Sequence, residues 1–364
     1  MDKKALILIE KLEKEHSLLL SEYEYLIENL TDDAIALLAE KAVSARKKVY
    51  KNHVYIRGLI EISNICKNDC YYCGIRRSNT ACNRYRLTPD EILSCCRAGY
   101  ELGFRTFVLQ GGEDKYFSDD VVCDIVLKIK ENHPDCAVTL SLGERSKESY
   151  QRLYDAGADR YLLRHETADD KHYGFLHPDE MSFKNRIACL KNLKEIGYQV
   201  GCGFMVGSPG QKAEHLAKDL KFIEEFKPDM CGIGPFVPHH ATKFADEKTG
   251  SAKLTCALLS IIRLISPNIL LPSTTALGTI LADGRERGIL AGANVVMPNL
   301  SPESVRKKYE LYNNKISEGP EAAEQKDELV KRMKEIGYEV ITDRGDIKKV
   351  VQKNVHTTQG KEKA

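Results

Sequence analysis

Three cysteines, Cys66, Cys70 and Cys73, lie within eight residues, directly after an alternating, strand-like segment. In a long chain without a recognisable secretion signal, cysteines grouped this closely are expected to bind a metal rather than to form disulfides. A structural zinc site would need a fourth ligand, yet no second Cys pair or His pair follows at a fitting distance. A 4Fe-4S cluster held by three thiolates leaves one iron open for another ligand. The spacing favours such a cluster, with a zinc loop or ordinary buried thiols as alternatives.

Polar residues also follow the next three predicted strands. These candidates are Gly111, Gly112 and Glu113 after the second strand, Glu144 after the third, and Arg164, His165 and Glu166 after the fourth. Adjacent glycines let the backbone approach a ligand closely, and a guanidinium can bind both oxygens of a carboxylate. Each motif alone could be a turn or a surface ion pair. Their recurrence at three successive strand ends favours a binding site, to which all three residues of the Arg164 segment would contribute.

Later segments offer residues that could complete a cavity. They are Met205 beside the fifth strand, Thr274 and Thr275 after the seventh, Met297 at the eighth, and Tyr309 and Tyr312 at helical i, i+3 spacing. A flat apolar surface at Met205 would suit an adenine ring, although core packing explains this residue equally well. We expect the two threonine hydroxyls to point into the fold and the two tyrosines to close one side of it.

The chain alternates short β-rich segments with amphipathic ones. Predicted strands cover 54–62, 106–110, 137–142, 160–164, 199–205, 230–234, 268–271 and 294–297, and predicted helices cover 89–102, 118–132, 147–156, 182–197, 212–226, 253–265 and 283–291. Eight strands separated by helices predict an α/β fold, a closed (β/α)8 TIM-type barrel whose functional groups lie at the carboxyl ends of the strands. An open, doubly wound sheet is the alternative, because the pattern does not show whether the sheet closes.

Three regions are expected along the chain: an N-terminal helical extension over 1–50 that caps the bottom of the barrel, the barrel over 51–300, and a C-terminal helical extension with a polar tail over 301–364. Lys plus Arg number 54 and Asp plus Glu 53, so the net charge of +1 indicates neither nucleic acid nor an anionic membrane as a partner. Without a signal peptide or an apolar span, we expect a cytoplasmic protein. The nine other cysteines are expected to be thiols.

The C-x3-C-x2-C loop, with Tyr72 before the third cysteine, resembles the radical S-adenosylmethionine (SAM) superfamily. This resemblance implies that Cys66, Cys70 and Cys73 hold one 4Fe-4S cluster and that SAM occupies the open iron. The reduced cluster would cleave SAM to methionine and a 5′-deoxyadenosyl radical, a reaction that depends on the cofactor. The residues that the resemblance assigns to the cofactor are Tyr72, Gly111, Gly112, Glu113, Glu144, Arg164 and Met205.

Longer sequence segments make the resemblance specific to one family within this superfamily. "IRGLIEISNICKNDCYYCGIRRSN", "VLQGGED", "VTLSLGE", "GADRYLLRHET", "STTALGT" and "ANVVMPNLSP" are similar, in order and context, to the HydE family of FeFe-hydrogenase maturases. The resemblance implies a small organometallic substrate, a cysteine-bound iron carbonyl cyanide, and as partners HydG-type and HydF-type maturases and a reducing electron donor. The residues that it assigns to the substrate cavity are Thr274, Thr275, Met297 and Tyr312.

One feature of this chain differs from some members of that family. Some members carry an auxiliary cluster on C-terminal cysteines, but no cysteine follows Cys256, so no such cluster is expected.

A mutase similar to methylornithine synthase is the nearest alternative function, because its barrel and cysteine loop resemble those expected for this chain. A non-catalytic scaffold for an iron precursor is the alternative from another class, although it would leave the SAM-type motifs without a use.

Overall fold

The computed structural model describes residues 2–317 and 322–348. The predicted polar tail lies outside these residues. Every helix in the described ranges is too short or too polar to cross a bilayer.

The secondary structure alternates as the sequence predicts. The helices are α1 Lys3–Glu15, α2 Leu20–Glu28, α3 Asp32–Tyr50, α4 Pro89–Glu101, α5 Asp119–Asn132, α6 Lys147–Asp155, α7 Asp170–Leu176, α8 Phe183–Ile196, α9 Ala213–Phe226, α10 Ala252–Ile265, α11 Thr275–Ile280, α12 Gly284–Leu290, α13 Glu303–Arg306 and α14 Lys326–Glu335. The strands are β1 His53–Ile56, β2 Gly58–Ser63, β3 Thr106–Gly111, β4 Ala137–Ser141, β5 Arg160–Leu162, β6 Gln199–Cys202, β7 Met205–Val206, β8 Met230–Cys231, β9 Gly234–Pro235, β10 Val295–Val296 and β11 Glu339–Ile341.

Capping side chains explain where several helices begin. Ser118 starts α5 by accepting the amide of Val121, and Thr88 with Glu91 forms a reciprocal capping box at the start of α4. At the other end, α8 stops at Gly197, whose φ of 110° is unfavourable for residues with a side chain. These local signals are legible in the sequence, so the predicted boundaries of these helices lie within one or two residues of the observed ones.

Six parallel strands form the central sheet, in the order β2-β3-β4-β5-β6-β8. Isolated parallel bridges extend the pairing from Met230 to Leu270, from Pro272 to Val295, and from Leu59 to Asn299. The predicted α/β fold with parallel strands is therefore confirmed. The carboxyl ends of these strands meet on one side of the sheet, which is where candidate residues follow β2, β3, β4 and β5.

Four predicted strands differ from the structure. The segment 199–205 is divided into β6 and β7, and the segment 230–234 into β8 and β9; β7 and β9 pair with each other in a separate two-stranded sheet. The segment 54–62 is divided at Arg57: β1 pairs with β10 and β11, whereas β2 pairs with β3 in the central sheet. The segment 268–271 makes only the isolated bridge at Leu270. Alternating apolar residues predict an extended backbone, but they do not specify which neighbour it pairs with, and pairing decides where a strand ends.

Helices and strands from the two ends of the described part of the chain pack near one another. Helix α3 packs against α10, and the Tyr50 hydroxyl donates to the carbonyl of Asn268 just beyond α10. The C-terminal strand β11 adds to β1 in parallel, with His53 opposite Glu339. Sequence patterns predicted helical runs in this region and missed β11, because three residues are too few for a periodic signal and the partner strand is distant in sequence.

A buried arginine joins the segment after β11 to the sheet. The Arg160 side chain on β5 has no exposed area, and it donates to Thr106 Oγ1 (3.0 Å), the Arg344 carbonyl (2.8 Å) and Asp346 Oδ1 (2.6 Å). Burial alone would raise the pKa of Asp346, but Arg160 and the neighbouring hydrogen-bond donors lower it below the usual value. The carboxylate of Asp346 therefore compensates a guanidinium that water cannot reach.

We predict that Asp346→Ala lowers the free energy of unfolding by about 1–3 kcal/mol at neutral pH, because Arg160 loses its charged partner while remaining buried. The lowered pKa makes this contribution fully present above the unfolded pKa of about 3.9 and lost as the pH falls below it. Denaturant unfolding of both proteins across the acidic range measures the difference. Asp246→Ala, at an exposed position, is the control; equal losses for the two variants would contradict the prediction.

Candidate active site

The three predicted cluster cysteines lie on the loop that follows β2. Arg84 organises this loop, since its guanidinium donates to the carbonyls of Asn64, Ile75, Arg76 and Asn79. The Asp69 carboxylate accepts two hydrogen bonds from Arg76, each 2.8 Å long. Internal polar contacts rather than regular secondary structure hold the loop, which suits a backbone that must present three side chains to one ligand.

The donor set of this loop fits an iron-sulfur cluster. Burial first, and then the neighbouring thiols, raise the pKa of Cys70, and the same two causes raise the pKa of Cys73 to about 12. The thiols therefore lie close enough to influence one another. Within 2–317 and 322–348, however, no three Cys, His, Asp or Glu side chains gather as ligands of a single metal ion. A cluster that takes one thiolate on each of three irons does not require such convergence.

The glycine pair after β3 packs directly against the cysteine loop. A Cβ at Gly112 would lie 2.3 Å from the Ile65 carbonyl oxygen and 2.8 Å from Cys66 Cβ, so no side chain fits there. The amide of Lys67 donates to the Glu113 carbonyl (3.1 Å), and the amide of Glu113 lies 3.4 Å from Cys66 Sγ. The structure thus brings together two motifs that the sequence places forty residues apart.

Glu113 joins the second strand end to the third. Its Oε1 accepts the amide of Glu144 (3.0 Å), and its Oε2 lies 2.8 Å from Lys67 Nζ. The carboxylate passes over Gly143, where a Cβ would lie 2.2 Å from Oε1. Gly143 also has a φ of 75°, so both space and backbone conformation require glycine there. Gly111, at the end of β3, completes this group of predicted residues.

Arg186, which no sequence motif indicated, contacts two of the predicted site residues. Its Nε donates to Glu144 Oε1 (2.5 Å) and its Nη1 to the Arg164 carbonyl (2.6 Å). Burial opposes its charge, but nearby Tyr173 and Glu144 more than compensate and raise the pKa of Arg186. The residue comes from helix α8, where no strand-end signal marks it, and only its spatial neighbours distinguish it from other helical arginines.

Arg164 and Glu166 carry polar atoms that need a further partner. Arg164 Nη2 lies 3.4 Å from Glu166 Oε2 without hydrogen-bond alignment, and both atoms, with Arg164 Nε, are buried and lack a hydrogen-bond partner in the described ranges. Such groups destabilise a protein unless a ligand satisfies them. Glu166 also has a φ of 65°, which is strained for a residue with a side chain. His165, which the sequence placed with them, is instead fully buried beside Asp219.

Met205 belongs to an apolar surface beside the cysteine loop. The buried members are Leu176, Met205, Phe236 and Phe244, with Tyr71 and Tyr72 packed against them. The Tyr72 hydroxyl also lies 3.2 Å from His177 Nε2. This arrangement brings Tyr72 and Met205 together, as a surface for a flat ring requires.

The residues predicted to line the substrate cavity are less closely grouped than those predicted to bind the cofactor. Thr274 precedes α11 and its Oγ1 is buried without a hydrogen-bond partner among the described residues, whereas the Thr275 hydroxyl accepts from Arg285 (3.2 Å). Met297 packs against a separate apolar cluster that contains Met230 and Leu270.

Tyr309 and Tyr312 are not on a helix, contrary to the expectation from their spacing. Helix α13 ends at Arg306, and an irregular segment follows it. Tyr309 is buried and lies 3.5 Å from Gln110 Nε2, whereas Tyr312 is half-buried. None of the twelve cysteines forms a disulfide, as expected.

Residues 60–223 match the model of the radical SAM superfamily. The FeFe-hydrogenase maturase subunit HydE of Thermotoga maritima is 48% identical over 285 residues, which cover 78% of this chain and 80% of that protein. The crystal structure of methylornithine synthase (PylB) superposes with a TM-score of 0.80 at 25% identity, covering 92% of this chain and 97% of the other. The crystal structure of HydG, also a maturase of FeFe-hydrogenase, superposes with a TM-score of 0.78 at 21% identity. The superposition covers 92% of this chain and 75% of that chain, and it shows the shared fold.

A superfamily match that contains the cysteine loop implies a 4Fe-4S cluster and SAM as cofactors, in agreement with the donor set and the unsatisfied polar atoms. The identity to the Thermotoga protein extends over most of both chains. The chain is therefore a radical SAM enzyme and belongs to the HydE family of FeFe-hydrogenase maturases.

Proposed function

We propose that this protein acts in FeFe-hydrogenase maturation, by cleaving SAM reductively and acting on a cysteine-bound iron carbonyl cyanide. The observation that carries the proposal is the packing of the cysteine loop against the glycine pair, beside buried polar atoms that lack hydrogen-bond partners in the part of the chain that the structure describes. Its support from other proteins is the 48% identity to a HydE maturase. When bound, the cluster supplies the electron that cleaves the sulfonium of SAM.

The chain's own residues would bind and orient SAM. Cys66, Cys70 and Cys73 would hold the cluster, and Gly111, Gly112 and Glu113 would present backbone groups to the amino end of SAM. Glu144 and Arg186 would fix the position of Arg164, whose guanidinium suits the SAM carboxylate. Glu166 suits an ammonium or hydroxyl group, while Met205 and Tyr72 offer apolar area to the adenine.

The substrate would occupy the interior of a barrel that we propose is closed, spanning residues 51–300 with helical extensions on both sides. The proposed lining residues are Thr274, Thr275, Met297 and Tyr312. The Thr274 hydroxyl, which has no hydrogen-bond partner within 2–317 and 322–348, supports a polar contact there. The proposed partners are HydG-type and HydF-type maturases and a reducing electron donor. A single cluster, with no C-terminal auxiliary cluster, would serve a protein that we place in the cytoplasm.

The segment 307–317 is proposed to cover this interior. The amide of Gly74 donates to the Leu311 carbonyl (2.8 Å), and the amide of Asn313 to the Pro238 carbonyl (3.0 Å). Lys315 Nζ lies 2.7 Å from Glu61 Oε1, and both side chains are nearly inaccessible to water. The segment therefore contacts the cysteine loop and also the central sheet, as a cover over a reactive site requires.

A lysine mutase is the second candidate, supported by the TM-score of 0.80 to methylornithine synthase. A non-catalytic scaffold for an iron precursor is less well supported, because it gives no role to the unsatisfied Arg164 and Glu166 atoms.

We predict that anaerobically reconstituted protein, reduced with dithionite and given SAM, releases 5′-deoxyadenosine, and that a cysteine-bound iron carbonyl cyanide increases the release. Liquid chromatography with mass spectrometry measures the product. Stimulation by lysine instead would support the mutase, and absence of any 5′-deoxyadenosine would support the scaffold and contradict the proposal.

Cys70→Ala is expected to abolish both the visible absorbance of the reconstituted cluster and SAM cleavage, because two thiolates are left for three irons. Iron content per chain and 5′-deoxyadenosine are the measurements. Cys123→Ala, which changes a thiol on helix α5, is the matched control and is expected to keep both. Full turnover by the Cys70 variant would overturn the assignment of the ligands.

Lys315→Met is expected to uncouple SAM cleavage from substrate conversion, because the covering segment loses its ionic contact with Glu61 while the cysteine loop stays intact. The ratio of 5′-deoxyadenosine to product should rise several-fold. Lys331→Met, at an exposed position on α14, is the control. A wild-type ratio in a folded Lys315 variant would exclude a covering role for the segment.

A further inference from the structure

A buried histidine–aspartate pair lies beneath the turn that carries Arg164 and Glu166. His165 and Asp219 have no exposed side-chain area, and His165 Nε2 lies 3.2 Å from Asp219 Oδ1. The amide of Gly203 donates to His165 Nδ1 (3.3 Å), which leaves Nε2 to carry the imidazole proton. The amide of Ala168 donates to the same Asp219 oxygen (2.6 Å). The pair therefore connects helix α9, the turn and the end of β6.

The backbone around this pair is held in a conformation that it would not adopt by itself. Glu166 has a φ of 65°, and it exchanges backbone hydrogen bonds with the opposite segment: its amide donates to Gly203 (3.0 Å), and its carbonyl accepts from Met205 (3.3 Å). Strained conformations of this kind persist only where the surroundings impose them. His165 accepts a hydrogen bond from the amide of Gly203, in the segment opposite Glu166. Asp219 accepts one from the amide of Ala168, two residues after Glu166.

We infer that His165 and Asp219 are positioning residues, which hold the turn so that Arg164 and Glu166 direct their unsatisfied polar atoms at SAM. The inference rests on the proposed SAM site. Neither residue touches the cofactor; each acts through the backbone of the turn. An ordinary core role would stabilise the protein as a whole, whereas this role concerns the affinity for one ligand.

The charge state of the pair indicates which substitution should be tolerated. Burial lowers the pKa of His165 to about 3 and raises the pKa of Asp219 well above its usual value, so burial disfavours an ion pair between them. An asparagine at 219 keeps the acceptor that His165 and Ala168 use. A leucine of similar size removes it, and a phenylalanine at 165 removes the imidazole between the aromatic rings of Phe204 and Phe222.

The test compares His165→Phe with Asp219→Asn. For His165→Phe we expect the dissociation constant for SAM, measured by equilibrium dialysis on reconstituted protein, to rise about tenfold or more. Cleavage at saturating SAM should change much less, so that KM rises more than kcat falls. Asp219→Asn should stay close to wild type, and Asp219→Leu should resemble His165→Phe.

Hydrogen exchange without SAM provides a readout that is independent of activity. In His165→Phe, the amides of residues 164–168 and 201–206 should exchange faster, while the rest of the sheet keeps its protection. Leu220→Ala, at a buried apolar position beside Asp219 on α9, is the matched control: it should lower thermal stability without changing SAM affinity or exchange at the turn.

The outcomes separate the inference from the proposed function. Failure of the wild-type protein to bind SAM would contradict the proposed function, whereas hydrogen exchange would still test the positioning role. Wild-type affinity and wild-type exchange in His165→Phe would overturn the inference, as would an effect of Leu220→Ala on SAM affinity as large as that of His165→Phe. If His165→Phe does not fold, Asp219→Leu against Asp219→Asn decides by the same measurements.

Discussion

The close approach of the glycine pair to the cysteine loop is the contact on which the rest of the site depends. Gly112 leaves no room for a Cβ beside Ile65 and Cys66, so the two motifs touch through their backbones. Because Glu113 follows at once, its carboxylate reaches both Lys67 and the amide of Glu144. One steric condition at one residue therefore sets the spacing between the cysteine loop and the polar groups that we propose face SAM.

A connected set of charged groups extends from that contact across the strand ends. Glu113 binds the backbone of Glu144, Glu144 binds Arg186, and Arg186 binds the carbonyl of Arg164. In a medium of low polarity such pairs are strong when complete and costly when a member is missing. Among the described residues, buried atoms of Arg164 and Glu166 at one end of this network lack hydrogen-bond partners. Glu113 Oε2 at the other end also lacks a hydrogen bond, but it lies 2.8 Å from Lys67 Nζ.

Segments from the C-terminal part of the chain reach opposite ends of the sheet. Residues 307–317 contact the cysteine loop and Glu61. Strand β11 pairs with β1, and Asp346 in the segment after β11 compensates the charge of the buried Arg160. In both contacts a charged group from the C-terminal part of the chain pairs with a buried group of opposite charge in the sheet. C-terminal segments thus provide charged partners for groups buried in the sheet. Both the fold and the site require that buried charges be paired.

The sequence by itself indicated the clustered cysteines, the parallel α/β alternation, the boundaries of the seven helices predicted between strands, and the strand-end positions of Glu113, Glu144 and Arg164, because caps, spacing and hydrophobic periodicity are local properties. It did not indicate Arg186, whose role arises when α8 packs beside Glu144, nor the burial of His165 against Asp219 from α9. Nor did it indicate that β11 pairs with β1 or that Tyr309 is the buried tyrosine of its segment. Only the tertiary structure decided these features, because they depend on which distant surfaces come into contact, and a one-dimensional pattern records the neighbours along the chain alone.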